Sequence, residues 1–93
     1  MARVEIYTKT TCGFCVRAKR LLELKRIAFD ETAVDRGGAP RDAMIQRANG
    51  RSTVPQIFID GKHIGGCDEL MALEYNGQLD AMLAAPRQGS GQG

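Results

Sequence analysis

Two cysteines separated by two residues are the side chains best suited to chemistry in this chain. Cys12 and Cys15 stand where a short apolar run, residues 4–7, gives way to a stretch of helical periodicity. Cysteines three apart at the start of a helix face the same side, at a separation that a disulfide can span. The pair therefore predicts reversible thiol–disulfide chemistry, with a metal site and an inert pair as the alternatives.

The position of the pair at a helix start predicts which thiol attacks. Cys12 precedes the first turn, where unpaired N–H groups and the positive end of the helix dipole favour the thiolate over the thiol. Positions 9–21 contain no acidic residue. Four cations in this segment also favour the thiolate: Lys9, Arg17, Lys19 and Arg20. We expect Cys12 to be the nucleophile and Cys15, one turn inside the helix and more shielded, to be the resolving thiol.

Composition excludes several classes of protein. The chain has 93 residues, 43% of them apolar and 26% charged, which suits one small globular domain. Three cysteines are an odd number and too few for a secreted disulfide scaffold. A net charge of +2 is too weak to indicate a nucleic-acid partner, and we expect none.

The distribution of charge and hydropathy predicts location and domain limits. Charges at positions 3, 5 and 9 leave no apolar signal segment, and no run approaches the ~18 apolar residues of a membrane helix. We expect a cytoplasmic protein without membrane contact, whose cysteines are kept reduced. Residues 1–85 are the predicted domain, and residues 86–93, which lack an apolar anchor, are a predicted disordered tail.

The cysteine pair is positioned by a predicted α/β fold. Strands are expected at 4–7, 27–34, 56–59 and 62–64, and helices at 13–26, 40–48, 67–75 and 79–83. The order is β-α-β-α-β-β-α-α. A βαβ crossover makes the first two strands parallel, and the Asp60-Gly61 turn adds an antiparallel edge strand. These elements predict a four-stranded mixed sheet flanked by helices on both faces.

Three segments together resemble the signatures of the glutaredoxin family. They are Lys9-Thr10-Thr11-Cys12-Gly13-Phe14-Cys15, Ser52-Thr53-Val54-Pro55-Gln56-Ile57-Phe58-Ile59 and Gly65-Gly66-Cys67-Asp68-Glu69-Leu70. The resemblance spans residues 3–84 and is closest to small bacterial dithiol members. It implies a thioredoxin-like fold and a glutathione-dependent thiol–disulfide oxidoreductase. The implied partners are glutathione, as co-substrate, and glutathionylated or disulfide-containing proteins. We expect the enzyme to be a monomer.

The resemblance also implies a glutathione site. The bond before Pro55 is expected to be cis, with the Val54 backbone beside Cys12, where it pairs with the tripeptide as an added strand does. The implied contacts are Lys9, Phe14, Arg41, Thr53, Val54, Pro55, Gly66, Cys67 and Asp68. The alternative for Lys9 and Arg41 is that they are ordinary solvated charges. The alternative for Asp68 is a first-turn acid that stabilises its helix.

Two features leave metal-containing alternatives open. Gly13-Phe14 replaces the Pro-Tyr usual between the cysteines of dithiol members, which raises the alternative of a [2Fe–2S] cluster bridging a dimer through Cys12 and glutathione. His63 and Cys67 complete a Cys₃His set, the right count for structural zinc. Their predicted places on a hairpin and beyond two glycines argue against zinc. We expect Cys67 to be a semi-buried thiol near the glutathione site and His63 to be an exposed strand residue.

Overall fold

The computed structural model of the chain describes residues 2–84. Its strands are β1 (Val4–Thr8), β2 (Phe29–Ala33), β3 (Gln56–Ile59) and β4 (Lys62–Gly65), and its helices are α1 (Gly13–Leu24), α2 (Gly38–Arg47), α3 (Cys67–Tyr75) and α4 (Gln78–Ala84). This is the predicted order of elements. The predicted tail at 86–93 lies outside the described residues, so it stays a prediction. None of the helices in residues 2–84 is long and apolar enough to span a bilayer.

The strands form one mixed sheet in the order β2-β1-β3-β4. β1 pairs in parallel with β2 and antiparallel with β3, and β3 pairs antiparallel with β4. Asp60 and Gly61 both adopt positive φ, 51° and 78°, as a two-residue hairpin turn requires. The predicted parallel crossover and antiparallel edge are therefore confirmed.

The side chains of the central strands alternate between two cores on opposite faces of the sheet. Val4 and Ile6 of β1 contribute to a cluster that includes buried residues of α1, α3 and α4. Tyr7 of the same strand contributes to a second cluster with Phe58 of β3 and the buried face of α2. Because successive strand residues point to opposite faces, each central strand serves both cores. The expected helices on both faces are confirmed.

Two predicted boundaries are corrected at the end of α1. The helix ends at Leu24 rather than at Arg26, because Arg26 adopts a left-handed conformation with φ 59°. The Arg26 and Ile27 amides then close the helix end, with hydrogen bonds of 2.9 Å to the Glu23 and Leu22 carbonyls. This turn delays β2, which begins at Phe29 instead of Ile27.

Candidate active site

Cys12 is the N-cap residue of α1. Its backbone is extended, with φ −144° and ψ 106°, and its Sγ accepts a hydrogen bond from the Cys15 amide at 3.1 Å. An N-cap side chain normally offers oxygen to such an amide, and here sulfur takes that role. The N–H donor and the positive end of the helix both stabilise negative charge on this sulfur. The geometry therefore suits the Cys12 thiolate as an attacking group.

The loop that leads to Cys12 is held by hydrogen bonds to the residues that follow β2. The Thr10 amide donates to both carboxylate oxygens of Asp35, at 2.9 and 3.2 Å, and the Val34 amide donates to the Thr8 carbonyl at 2.8 Å. The hydrogen bond from the Thr10 amide is the main reason why the pKa of Asp35 is lowered. The connection after β2 thus fixes the approach to the cysteine pair.

Cys15 is shielded, as the sequence predicts. It is only 1% exposed, in the first turn of α1. Burial, together with its hydrogen-bonding contact with Cys12, raises the pKa of Cys15 to about 12. Cys15 consequently keeps its proton at neutral pH while the half-buried Cys12 faces the solvent side. All three cysteines of the chain are free thiols.

The positive segment around Cys12 is partly neutralised by β2. Lys19 forms an ion pair of 2.9 Å with Glu31, which also accepts a 2.6 Å hydrogen bond from the Thr8 hydroxyl. The Thr8 contact, followed by the Lys19 contact, lowers the pKa of Glu31. The segment 9–21 has no acid of its own, but parallel pairing brings Glu31 alongside it. Lys19 therefore contributes less to the charge at Cys12 than its sequence position indicates.

The main chain of Val54 lies beside the Cys12 thiol. The Val54–Pro55 bond is cis, as the resemblance implies. The Val54 carbonyl oxygen lies 3.8 Å from Cys12 Sγ. A backbone segment at the start of β3 is thus in reach of any group bonded to the Cys12 sulfur.

A cleft of about 280 Å³ opens between this segment and the start of α3. Seven of the predicted glutathione contacts line it: Phe14, Thr53, Val54, Pro55, Gly66, Cys67 and Asp68. Lys9 and Arg41 do not line the cleft, and they stay predictions for a ligand that extends beyond it. The structure therefore brings together residues from three distant parts of the chain.

Two residues that line the cleft were missed by the sequence analysis, Arg51 and Glu69. Glu69 Oε1 accepts a 2.6 Å hydrogen bond from the Gly66 amide and lies 3.5 Å from Arg51 Nη1. The Gly66 contact is the main cause of the lowered pKa of Glu69. An acid three residues after a helix N-cap is a recognisable capping signal that could have identified Glu69. No sequence signal singles out Arg51.

Two glycines allow the close approach of α3 to the Pro55 segment. Gly65 has φ 123°, and a Cβ there would lie 2.7 Å from Glu69 Oε1. A Cβ on Gly66 would lie 3.2 Å from the Pro55 carbonyl oxygen. The two glycines thus allow the helix start, its capping carboxylate and the Pro55 backbone to meet at one wall of the cleft.

His63 and Cys67 are both more enclosed than expected. The prediction of an exposed His63 is wrong, because its ring packs 5.1 Å from the Phe58 ring and its Nε2 lies 2.6 Å from Gln56 Oε1. Cys67 is 5% exposed, and burial raises its pKa, against the opposing effect of the Arg17 charge. Within residues 2–84 no group of three or more His, Cys, Asp or Glu side chains is placed to hold a metal ion.

Known proteins share this arrangement over most of the chain. A family model described as glutaredoxin matches residues 4–64. Glutaredoxin 3 of Escherichia coli (strain K12) is 58% identical over 83 residues, covering 89% of this chain and 99% of that protein. The solution structure of glutaredoxin from Brucella melitensis is 47% identical, with a TM-score of 0.77 and 89% of each chain covered. The crystal structure of a buckwheat glutaredoxin–glutathione complex is 36% identical, with a TM-score of 0.79, covering 88% of this chain and 76% of that one.

The matched region includes both cysteines, the cis-proline segment and the four-stranded sheet that positions them. The fold is thioredoxin-like, and its redox pair is Cys12, the N-cap of α1, with the buried Cys15. The chain therefore belongs to the glutaredoxin family, as a dithiol, glutathione-dependent thiol–disulfide oxidoreductase with Cys12 and Cys15 as its active-site pair.

Proposed function

We propose that Cys12 attacks protein–glutathione mixed disulfides at the glutathione sulfur. The Cys12 thiolate forms a new S–S bond to glutathione, the old S–S bond breaks, and the protein leaves as a thiolate that takes up a proton. The observation that carries this proposal is the place of Cys12 Sγ, 3.1 Å from the Cys15 amide and 3.8 Å from the carbonyl oxygen of Val54, a residue that lines the cleft.

Two routes resolve the product. A thiolate of free glutathione attacks the Cys12–glutathione disulfide, which releases glutathione disulfide and restores the Cys12 thiolate. When the substrate is a protein disulfide, Cys12 forms a mixed disulfide with the protein, and Cys15 displaces the protein thiol. The Cys15 proton goes to the leaving thiolate, and two glutathione molecules then reduce the Cys12–Cys15 disulfide. The raised pKa of Cys15 keeps it from competing with Cys12 for the first attack, and Cys15 must lose its proton when it resolves the mixed disulfide.

The cleft has the polar groups that glutathione requires. Glutathione carries two carboxylates and one amine, so its site needs cations or free amides together with an acid. Arg51 and the start of α3 supply positive character, and Asp68 supplies the acid. The Val54 backbone is available for strand-like pairing with the tripeptide. The related buckwheat glutaredoxin was crystallised as a glutathione complex, which supports the same ligand here. The predicted contacts at Lys9 and Arg41 belong to this proposal.

Two cysteine variants test the division of roles. We expect Cys12→Ser to lose at least about a thousandfold in reduction of a glutathionylated peptide, because the attacking thiolate is gone. Cys15→Ser should keep this activity within about threefold, because free glutathione resolves the adduct. Steady-state kinetics with the peptide, glutathione and a coupled reductase measure both. Equal loss in the two variants would contradict the proposed roles.

A protein-disulfide substrate supplies the complementary measurement. Cys15→Ser should reduce it poorly and accumulate the Cys12–protein mixed disulfide, which mass spectrometry detects. The buried position of Cys15, directly behind Cys12 in the first turn, gives the reason for this expectation. Rapid reduction of the protein disulfide by Cys15→Ser would show that Cys15 is not the resolving thiol.

A [2Fe–2S] cluster carrier is the second candidate. Cys15 is buried, so one protein thiolate per chain, Cys12, faces outward, and a cluster with four thiolate ligands needs two chains and two glutathione molecules. The surface next to Cys12 leaves room for a second chain, because a Cβ on Gly13 meets nothing within 4 Å. Phe14 beside it is 55% exposed.

Anaerobic reconstitution with iron, sulfide and glutathione tests the cluster. The carrier predicts visible absorption and a dimer by size exclusion, both lost in Cys12→Ser and kept in Cys15→Ser. A colourless monomer would contradict it. A cytoplasmic location suits both candidates, because that compartment supplies reduced glutathione.

A further inference from the structure

A buried amide connects His63 to the glutathione cleft. Gln56 is the first residue of β3, directly after Pro55, and its side chain is completely buried. Among residues 2–84, Gln56 and Thr8 are the only buried polar residues. Its Nε2 donates to the Thr53 carbonyl at 3.0 Å and lies 3.3 Å from Thr53 Oγ1, while its Oε1 lies 2.6 Å from His63 Nε2.

The chemistry of these groups determines which atom donates in each hydrogen bond. The Thr53 carbonyl oxygen can only accept, so the Gln56 amide nitrogen must face it and the amide oxygen must face His63. His63 Nε2 must therefore carry a proton and donate it to Gln56 Oε1. Both the Nε2–H neutral ring and the charged ring do so. The three residues form a directional chain from His63 through Gln56 to Thr53.

The chain acts on a segment with few other attachments. Within the described residues 2–84, none of the main-chain hydrogen bonds in turns, loops and helix caps involves Thr53 or Val54. The Gln56 side chain thus anchors the backbone one residue before Val54, whose carbonyl lies 3.8 Å from the Cys12 sulfur. The His63 ring is itself fixed by packing on Phe58, its cross-strand partner.

We propose that His63 and Gln56 are positioning residues for glutathione: the His63 donor orients the Gln56 amide, which holds Thr53 and Val54 where they pair with the tripeptide. Without that donor the buried Gln56 amide oxygen has lost its hydrogen-bond partner. The side chain is then held from one end only, so it holds Thr53 and the segment less firmly. This inference rests on the proposed binding of glutathione along Val54.

Three variants of β4 test the proposal. His63→Phe keeps an aromatic ring on Phe58 and removes the donor, whereas His63→Gln keeps a donor near the Nε2 position. With a glutathionylated peptide we expect His63→Phe to raise KM about three- to tenfold with kcat nearly unchanged, as loss of one buried hydrogen bond allows. His63→Gln should restore KM to within about twofold. Lys62→Gln, on the exposed neighbouring residue, is the control and should leave KM unchanged.

The outcomes separate this inference from the proposed function. Turnover of the peptide by the wild-type protein tests the function, and KM of His63→Phe relative to His63→Gln tests the positioning. A His63→Phe protein that unfolds more easily but keeps the wild-type KM would show a structural role only and overturn the proposal. Equal KM increases in both His63 variants would overturn it as well. The Gln56 side-chain NH₂ signals in NMR should move in His63→Phe and stay near their wild-type positions in His63→Gln.

Discussion

Two helices of this protein begin near a cysteine, and the two thiols differ in nearly every physical respect. Cys12 is the N-cap of α1 and is half-buried, and its sulfur accepts a hydrogen bond from the Cys15 amide at 3.1 Å. Cys67 lies one position further along its helix, is 5% exposed, and follows a cap position occupied by Gly66. At that second helix a carboxylate, Glu69, binds the first free amide instead of sulfur. The two thiols therefore differ both in burial and in position, since Cys12 occupies the cap itself and Cys67 is a buried residue inside the helix.

The charges of the two helix starts reinforce this difference. α1 has no acid in its first turn, whereas α3 has Asp68 and Glu69 there. Burial raises the pKa of Cys67 most, and both carboxylates raise it further. The start of α1 thus suits an anionic sulfur, whereas the two side-chain carboxylates at the start of α3 oppose one. In the proposed function the anionic sulfur is the attacking thiolate, and the Asp68 carboxylate is the acid that meets the amine of glutathione.

Alkylation of the folded protein tests this difference directly. With iodoacetamide at pH 7.5 we expect Cys12 to react at least about 100-fold faster than Cys15 or Cys67, because accessible thiolate controls the rate. Burial raises the pKa of both slower thiols, that of Cys15 to about 12. Peptide mapping by mass spectrometry gives the three rates.

The control for alkylation is the same reaction in denaturing urea, where the three rates should converge. The folded Cys12→Ser protein is a second control, since only Cys15 and Cys67 remain in it and both should be alkylated slowly. If Cys67 reacts as fast as Cys12 in the folded protein, the start of α3 does not suppress its thiol and the comparison fails.

Much of the site could be predicted from sequence because its parts lie in short local patterns. The cysteine spacing, the helix that follows and the Asp60-Gly61 turn each depend on neighbouring residues only. Glu31 and Asp35 could not be placed beside the Cys12 loop in this way. They reach it through the parallel pairing of β1 with β2, and no pattern within positions 9–21 records that pairing.

The remaining errors have similar physical causes. Arg26 ends α1 in a left-handed conformation that glycine or asparagine usually signals, so the helix pattern appears two residues too long. His63 looks like a solvated strand residue, but the register that pairs it with Phe58 turns its ring toward Gln56. Its enclosure depends on the neighbouring strand and on a buried amide, which only the fold brings together.

Replacing the carboxylate that caps α3 should have a smaller effect, on stability. We expect Glu69→Ala to lower the free energy of unfolding by about 1 kcal/mol, the usual contribution of a capping side chain. The Glu69 side chain is 46% exposed, so solvent screening keeps the contribution of its Arg51 ion pair small. Urea unfolding followed by circular dichroism measures the loss. Glu23→Ala is the matched control, the same change at an exposed position of α1 outside its first turn.

The effect of Glu69 should depend on pH in a defined direction. The folded-state pKa of Glu69 is lowered, chiefly by the Gly66 amide, so its charged form is favoured by folding. This stabilisation is fully present above the unfolded pKa of about 4.3 and is lost as pH falls through the lowered folded value. The stability difference between wild type and Glu69→Ala should therefore shrink between pH 5 and pH 3. A difference that is constant over this range would show that the carboxylate charge does not cap α3.

The smallest expected effects come from adding one methyl group at each helix start. A Cβ on Gly13 meets nothing within 4 Å, whereas a Cβ on Gly66 lies 3.2 Å from the Pro55 carbonyl oxygen. Gly13→Ala should stabilise the protein by about 0.5 kcal/mol, because alanine restricts the unfolded chain. Gly66→Ala should destabilise it by a similar amount, because alanine is a poor N-cap and the Pro55 backbone must shift. Urea unfolding of the two variants side by side measures the opposite signs. Equal destabilisation by both would mean that the start of α1 is as tightly constrained as that of α3.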